Sequence, residues 1–218
     1  EWLPALAAGE LIATPAWLEP DRGFGPEGVQ LRAEAAGDGF RLNGVKRHVF
    51  YGKAADKLLV LARTGDAAAA VDLFLIDRDA PGVALEQQLS MASDTQYQVT
   101  FTDVAATAGQ RIGAAGSGWQ TWQACMYEGA ILQAAQAVGG AARALEITVK
   151  YSKERQQFDK PLGAFQALAH YMADCSTEIE GAKVLVLEAA WNHPQGRPIE
   201  RLAPRATLFA CNTFRNTT

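Results

Sequence analysis

Cysteine is scarce in this chain. Three of the 218 residues, Cys125, Cys175 and Cys211, are cysteines, an odd number at wide spacing. That excludes the disulfide framework of a small secreted domain and reads as buried free thiols in a reducing, cytoplasmic compartment. Histidine is equally sparse: His48, His170 and His193 share no ligand spacing with one another or with the cysteines, so no metal site is expected. No run of about 18 apolar residues exists, which excludes a membrane-spanning helix. Positive charge is not in excess. The net charge is −4, with acidic and basic residues interspersed, and this excludes a nucleic-acid footprint. There is no internal repeat, low-complexity linker or charge block. Glu1 stands where an initiator Met would, no signal-like segment follows it, and no Gly or Pro terminator closes the last helical pattern. The chain therefore reads as an interior piece of a longer protein.

What is present is apolar side chain, 49% of residues against 20% charged, enough to build a sizeable core. Up to about residue 110 the pattern is that of strands. Val29-Gln30-Leu31-Arg32-Ala33 and Phe40-Arg41-Leu42 alternate apolar and polar residues on either side of Gly37-Asp38-Gly39, whose glycines accept the positive φ of a tight turn. Further runs follow at 58–61, 71–76, 83–85 and 97–101, about ten residues apart. This predicts a closed or sandwiched antiparallel sheet.

The second part reads as helix. No proline interrupts 117–154, where Trp119, Trp122, Met126, Leu132 and Val138 recur at helical spacing and Ser117 is placed to cap. Gly139-Gly140 in mid-helix costs about 1 kcal/mol per residue relative to Ala, so a close helix contact or a kink is expected there. A second helix is predicted from Phe165 to Trp191 and a third from about Pro198. The fold class is thus α+β: an antiparallel barrel or sandwich over 1–112, then part of an antiparallel helical bundle over 113–218.

Residues 151–170 carry the most specific pattern. Arg155, Phe158, Pro161-Leu162 and Phe165-Gln166 resemble the Arg-x-x-Phe-x-x-Pro-Leu-x-x-Phe-Gln signature of the acyl-CoA dehydrogenase family. Leu42-Asn43-Gly44-Val45-Lys46 resembles that family's Leu-Asn-Gly-x-Lys hairpin. Gly9-Glu10 through Trp17-Leu18-Glu19-Pro20 resembles its Ser-Gly-Glu … Thr-Glu-Pro segment. Phe101-Thr102-Asp103-Val104 and Ile112-Gly113 match more weakly. The resemblance implies FAD as cofactor, dehydrogenation of an acyl-CoA thioester, an electron-transfer flavoprotein as acceptor, and a homo- or hetero-oligomer. It further implies that Trp17, Leu18, His48, Val49 and Phe50 face the flavin from the β part. Arg155, Gln157, Phe158, Phe165 and Gln166 would contact FAD across a subunit interface. An Arg at 155 suits a pyrophosphate because its rigid fork of donors matches paired oxygens.

Three positions depart from the family pattern. Leu18 stands for the usual Thr, Phe24 for a Ser that meets the thioester, and Phe50 for the Thr after Trp-Ile, so three hydroxyls are replaced by apolar groups. His48 replaces the stacking Trp. These departures keep two other readings open: a catalytically degenerate partner subunit, or a flavin oxidase or monooxygenase on the same scaffold. The reaction needs a carboxylate to remove the α-proton. The family's usual Glu would lie beyond Thr218. Its alternative position falls on Gly129, which leaves the adjacent Glu128 as the candidate base, with Tyr127 and Glu128 as candidate substrate contacts alongside Phe24.

Overall fold

Gly37 and Asp38 do close a two-residue turn: Ala36 pairs with Gly39 across it and Gly37 takes φ 61°. The computed structural model describes residues 2–218. After a short helix α1 (Leu3–Ala8) the chain runs through β1 (Ala13–Ala16), β2 (Arg32–Ala36), β3 (Gly39–Phe50), β4 (Lys57–Arg63), β5 (Val71–Asp77), β6 (Val83–Gln88), β7 (Gln96–Thr107) and β8 (Arg111–Ile112). These form one sheet in the order β6-β7-β3-β2-β4-β5-β8, with β1 also on β4. Most neighbours are antiparallel, as predicted. The β1–β4 pair and the single β2–β4 bridge at Arg32 and Arg63 are parallel. The hairpin of β2 and β3 intervenes between β1 and β4, so the chain returns in the same direction, the crossover that parallel pairing requires.

The sheet's side chains divide between two clusters. Leu42, Val49, Leu58, Val60, Phe74, Ile76, Val99 and Phe101 fill one. Val29, Leu61, Val71 and Leu73 form the other, covered by Trp17, Leu59, Trp119 and Trp122. Six consecutive residues of β5, Val71–Ile76, are buried because both faces of that strand are covered, which is why the run shows no polar alternation.

Two compact units divide the chain between Trp122 and Gln123. That division falls within α2 (Gly118–Glu154), ten residues after the compositional change at 112–113. Ser117 precedes α2 as expected, but its hydroxyl donates to the Ala114 carbonyl instead of capping a helix amide. Beyond α2 come a two-stranded hairpin, β9 (Gln156–Gln157) and β10 (Lys160–Pro161), then α3 (Gln166–Asn192) and α4 (Leu202–Thr217). Ala134, Ala141, Ala182, Ala189, Ala203, Ala206 and Ala210 are fully buried, so the helices approach through small side chains. At Gly140 a Cβ would lie 2.7 Å from the Phe214 ring, whereas one at Gly139 would meet nothing. Close approach of α4 thus accounts for one glycine of the pair, and α2 runs through both unbroken. The third helix starts at Leu202 instead of Pro198, because Pro204 occupies its first turn, where no helical N–H is required. The thiols correct the sequence reading: Cys125 and Cys211 are exposed and Cys175 is half-buried.

Candidate functional site

In the β unit, two of the sequence motifs are joined by a buried ion pair. Glu19 Oε1 accepts from Lys46 Nζ at 2.8 Å and from the Gln30 and Leu31 amides, each at 2.9 Å. Lys46 also donates to the Trp17 carbonyl at 3.3 Å, and the Arg47 amide to the Leu18 carbonyl at 2.8 Å. Three bonds therefore hold segment 17–19 on the strand that carries 46–50, and the two amide bonds tie Glu19 to residues 30 and 31. Burial pushes the Lys46 ammonium down to about 8 from 10.5, with the Glu19 charge and hydrogen bond opposing that shift. Glu19 and Lys46 stand in the sequence as motif letters alone; their pairing across 27 residues has no local signal.

Immediately after Lys46 the pairing of β3 with β7 slips, and His48 takes a left-handed φ of 54°. A non-glycine residue held in that conformation costs energy and marks a locally determined shape. His48 is exposed, and its Nδ1 lies 2.7 Å from Gln96 Oε1. Val49 turns fully into the sheet core, so only its backbone is open to a ligand. Phe50 is 44% exposed, and its carbonyl accepts from the Thr14 hydroxyl. Trp17 lies 6.0 Å from Phe24 and 5.4 Å from Trp122, centroid to centroid, which makes an aromatic wall that ends at the exposed Phe24 ring.

This surface suits a planar, heteroatom-rich ring. The indole Nε1 of Trp122 and the Nε of Arg47 are buried donors without an acceptor among the described residues, and the Leu18 amide has none either. Aromatic faces supply stacking area, and unpartnered donors suit the carbonyl and imine acceptors of an isoalloxazine. Trp122 joins this wall although its helical spacing in the sequence marks it only as a core residue.

In the helical unit, the stretch between the first two predicted helices forms a tight β-hairpin. Lys160 pairs with Gln157 across Phe158 and Asp159, whose φ values are 56° and 60°. Both central residues are left-handed, the geometry of a type I′ turn. Arg155, Gln157 and Gln166 are exposed, and Phe158 is 85% exposed. The Phe158 and Phe165 rings meet edge to face at 6.2 Å, and Lys160 sits 4.3 Å over Phe165. Arg155, Gln157, Phe158, Phe165 and Gln166 thus fall within the short stretch from the end of α2 through the hairpin to the start of α3.

Glu128 projects from α2 and its carboxylate lies 3.0 Å from His193 Nε2; both side chains are about half exposed. Tyr127 is half-buried beside the bundle core. Among the described residues, no cluster of His, Cys, Asp and Glu could hold a metal, and no helix is long and apolar enough to cross a membrane.

Comparison with known proteins places both units. The model of the acyl-CoA dehydrogenase middle domain matches residues 15–104, and that of the acyl-CoA dehydrogenase C-terminal domain matches 116–218. An L-prolyl-[peptidyl-carrier protein] dehydrogenase of Serratia sp. is 31% identical over 205 residues, 92% of this chain and 53% of that protein. The butyryl-CoA dehydrogenase structure from Megasphaera elsdenii superposes with a TM-score of 0.89 at 31% identity, covering 97% of this chain and 57% of that one. The structure of PigA with FAD and proline superposes with a TM-score of 0.93 at 30% identity, over 99% and 58%. The chain spans little more than half the length of these relatives. With the two domain models together accounting for most of its sequence, it belongs to the acyl-CoA dehydrogenase family.

Proposed function

We propose that this chain is the flavin-binding core of an FAD-dependent acyl-CoA dehydrogenase that oxidises the Cα–Cβ bond of an acyl thioester. The observation that carries the reading is the pairing of the family's middle and C-terminal domains in one chain. The 17–19 and 46–50 segments support it, tied by the Glu19–Lys46 pair and offering aromatic faces beside unpartnered donors. FAD, when bound, supplies the hydride acceptor, which no side chain can. Trp17, Leu18, His48 and Phe50 orient its ring from the β unit, with Val49 contributing backbone alone. Arg155, Gln157, Phe158, Phe165 and Gln166 form the second contact set, which reaches the FAD of a neighbouring subunit in a homo- or hetero-oligomer. Glu128 is the candidate base for the α-proton, held by His193, with Tyr127 beside it on α2 as a candidate substrate contact; Phe24 is the candidate substrate contact of the β unit. Electrons pass to an electron-transfer flavoprotein, and the protein works in the cytoplasm.

A second substrate reading has specific support. The Serratia relative is named for a prolyl group on a carrier protein, and the PigA structure holds proline with FAD. A carrier-bound cyclic aminoacyl thioester is therefore the alternative to an acyl-CoA. The loss of hydroxyls at Leu18, Phe24 and Phe50 keeps the degenerate partner subunit in play. The test is the visible spectrum of the full-length protein during anaerobic addition of acyl-CoAs and of prolyl-loaded carrier protein. Bleaching by one class identifies the substrate. A protein that takes up no FAD refutes the dehydrogenase reading in favour of the partner subunit.

A further inference from the structure

His48 stands at the centre of a hydrogen-bond chain whose directions are fixed by chemistry. Gln96 Nε2 donates to Asp94 Oδ2 at 2.7 Å, and Gln96 Oε1 lies 2.7 Å from His48 Nδ1. An ionised carboxylate can only accept, so the Gln96 amide nitrogen must face Asp94 and its oxygen must face His48. A carbonyl oxygen also only accepts, so Nδ1 carries the proton. In the neutral ring this leaves Nε2 bare, and that atom has no partner among the described residues. The Asp94 carboxyl is held below the usual carboxylate range, first by the Ser90 hydroxyl and then by Gln96, so it remains an acceptor through neutral pH. The backbone is fixed as well: the His48 amide donates to Gln88 Oε1 at 3.2 Å, at the left-handed residue of the β3 irregularity.

An exposed histidine does not need two glutamines and a carboxylate merely to remain folded. We propose that Asp94 and Gln96 are positioning residues that lock His48 in its Nδ1–H tautomer, so that Nε2 offers an acceptor to a ring N–H of the bound cofactor. The cofactor half rests on the FAD reading above; the lock itself does not. A stacking role would leave both ring nitrogens equivalent in importance, whereas the lock makes the surface at this position an acceptor of defined direction.

The experiment uses full-length protein labelled with 15N-histidine, with His48 assigned by the signal that His48→Gln removes. Long-range proton–nitrogen spectra are recorded at about pH 8, where an ordinary imidazole is neutral. The expected result is one protonated nitrogen, Nδ1, and one bare nitrogen, Nε2. Asp94→Asn keeps the shape but allows Gln96 to turn over, and Gln96→Leu removes the acceptor, so each should return the ring to a mixture of tautomers. In both variants the FAD dissociation constant should rise about three- to tenfold, the span of one hydrogen bond. Protonated Nε2 in the unaltered protein, or a tautomer untouched by both substitutions, overturns the lock. A tautomer that responds while FAD affinity stays constant overturns the cofactor half. If the unaltered protein binds no FAD, the flavin reading fails and the spectra still decide the lock.

Discussion

Substitution of Glu19 by Ala tests how the β unit holds segment 17–19 on its sheet. One oxygen of Glu19 accepts from Lys46 Nζ and from two backbone amides, and Lys46 is fully buried. After truncation the ammonium keeps only the Trp17 carbonyl, at 3.3 Å. Removing one partner of a buried pair costs about 3–5 kcal/mol, and two orphaned amides add about 1–2 kcal/mol before water enters the gap. A net loss near 4 kcal/mol is expected, a large share of the roughly 5–15 kcal/mol that a protein has. Glu19→Gln retains the acceptor for both amides and should lose about half as much. Urea titration of the full-length protein reads this as a lower midpoint at constant slope. A loss below about 1 kcal/mol for Glu19→Ala would show that the pair is not the tie argued above. Lys46 adds a pH signature. Its ammonium titrates near 8 in the fold and near 10.5 when unfolded. Between those values the unfolded chain binds more protons, so this group makes stability rise with pH, by up to about 3 kcal/mol. That rising component should vanish in Lys46→Met.

Three further outcomes are expected. If Arg155 reaches the FAD of a neighbouring subunit as proposed, Arg155→Ala should weaken FAD retention roughly ten- to hundredfold, the range of a charge-assisted contact, and shift the particle to smaller size; unchanged flavin content and particle size would remove Arg155 from the site. Gly118→Ala should lower stability by about 1–3 kcal/mol. Its Cβ would stand 2.5 Å from the Cα of Asp72, a backbone atom that cannot swing aside, so an unaltered melting temperature would contradict that packing. Glu128→Gln should reduce thioester-driven flavin bleaching by about two to four orders of magnitude if this carboxylate takes the α-proton. A rate within a few-fold of the parent would place the base elsewhere.

Element types were legible wherever the physics is local. Alternation around the Gly37-Asp38 turn announced β2 and β3, and the proline-free run of 117–154 announced α2, because side-chain periodicity and turn chemistry act over a few residues. The motif segments were legible by resemblance, since their letters sit at fixed spacing. Tertiary structure decided the rest. The parallel β1, the pairing of Glu19 with Lys46, the donor of Trp122 and the inward turn of Val49 all depend on residues brought together from far along the chain. So does the hairpin at Phe158-Asp159, where the bulky Phe158 takes a left-handed φ that its own propensity disfavours, beside an Asp159 that tolerates it. The sequence by itself determined which stretches would be strand or helix and which family they resemble. Only the fold decided which polar groups lost their water and found each other, because burial and long-range pairing exist only once the chain has closed.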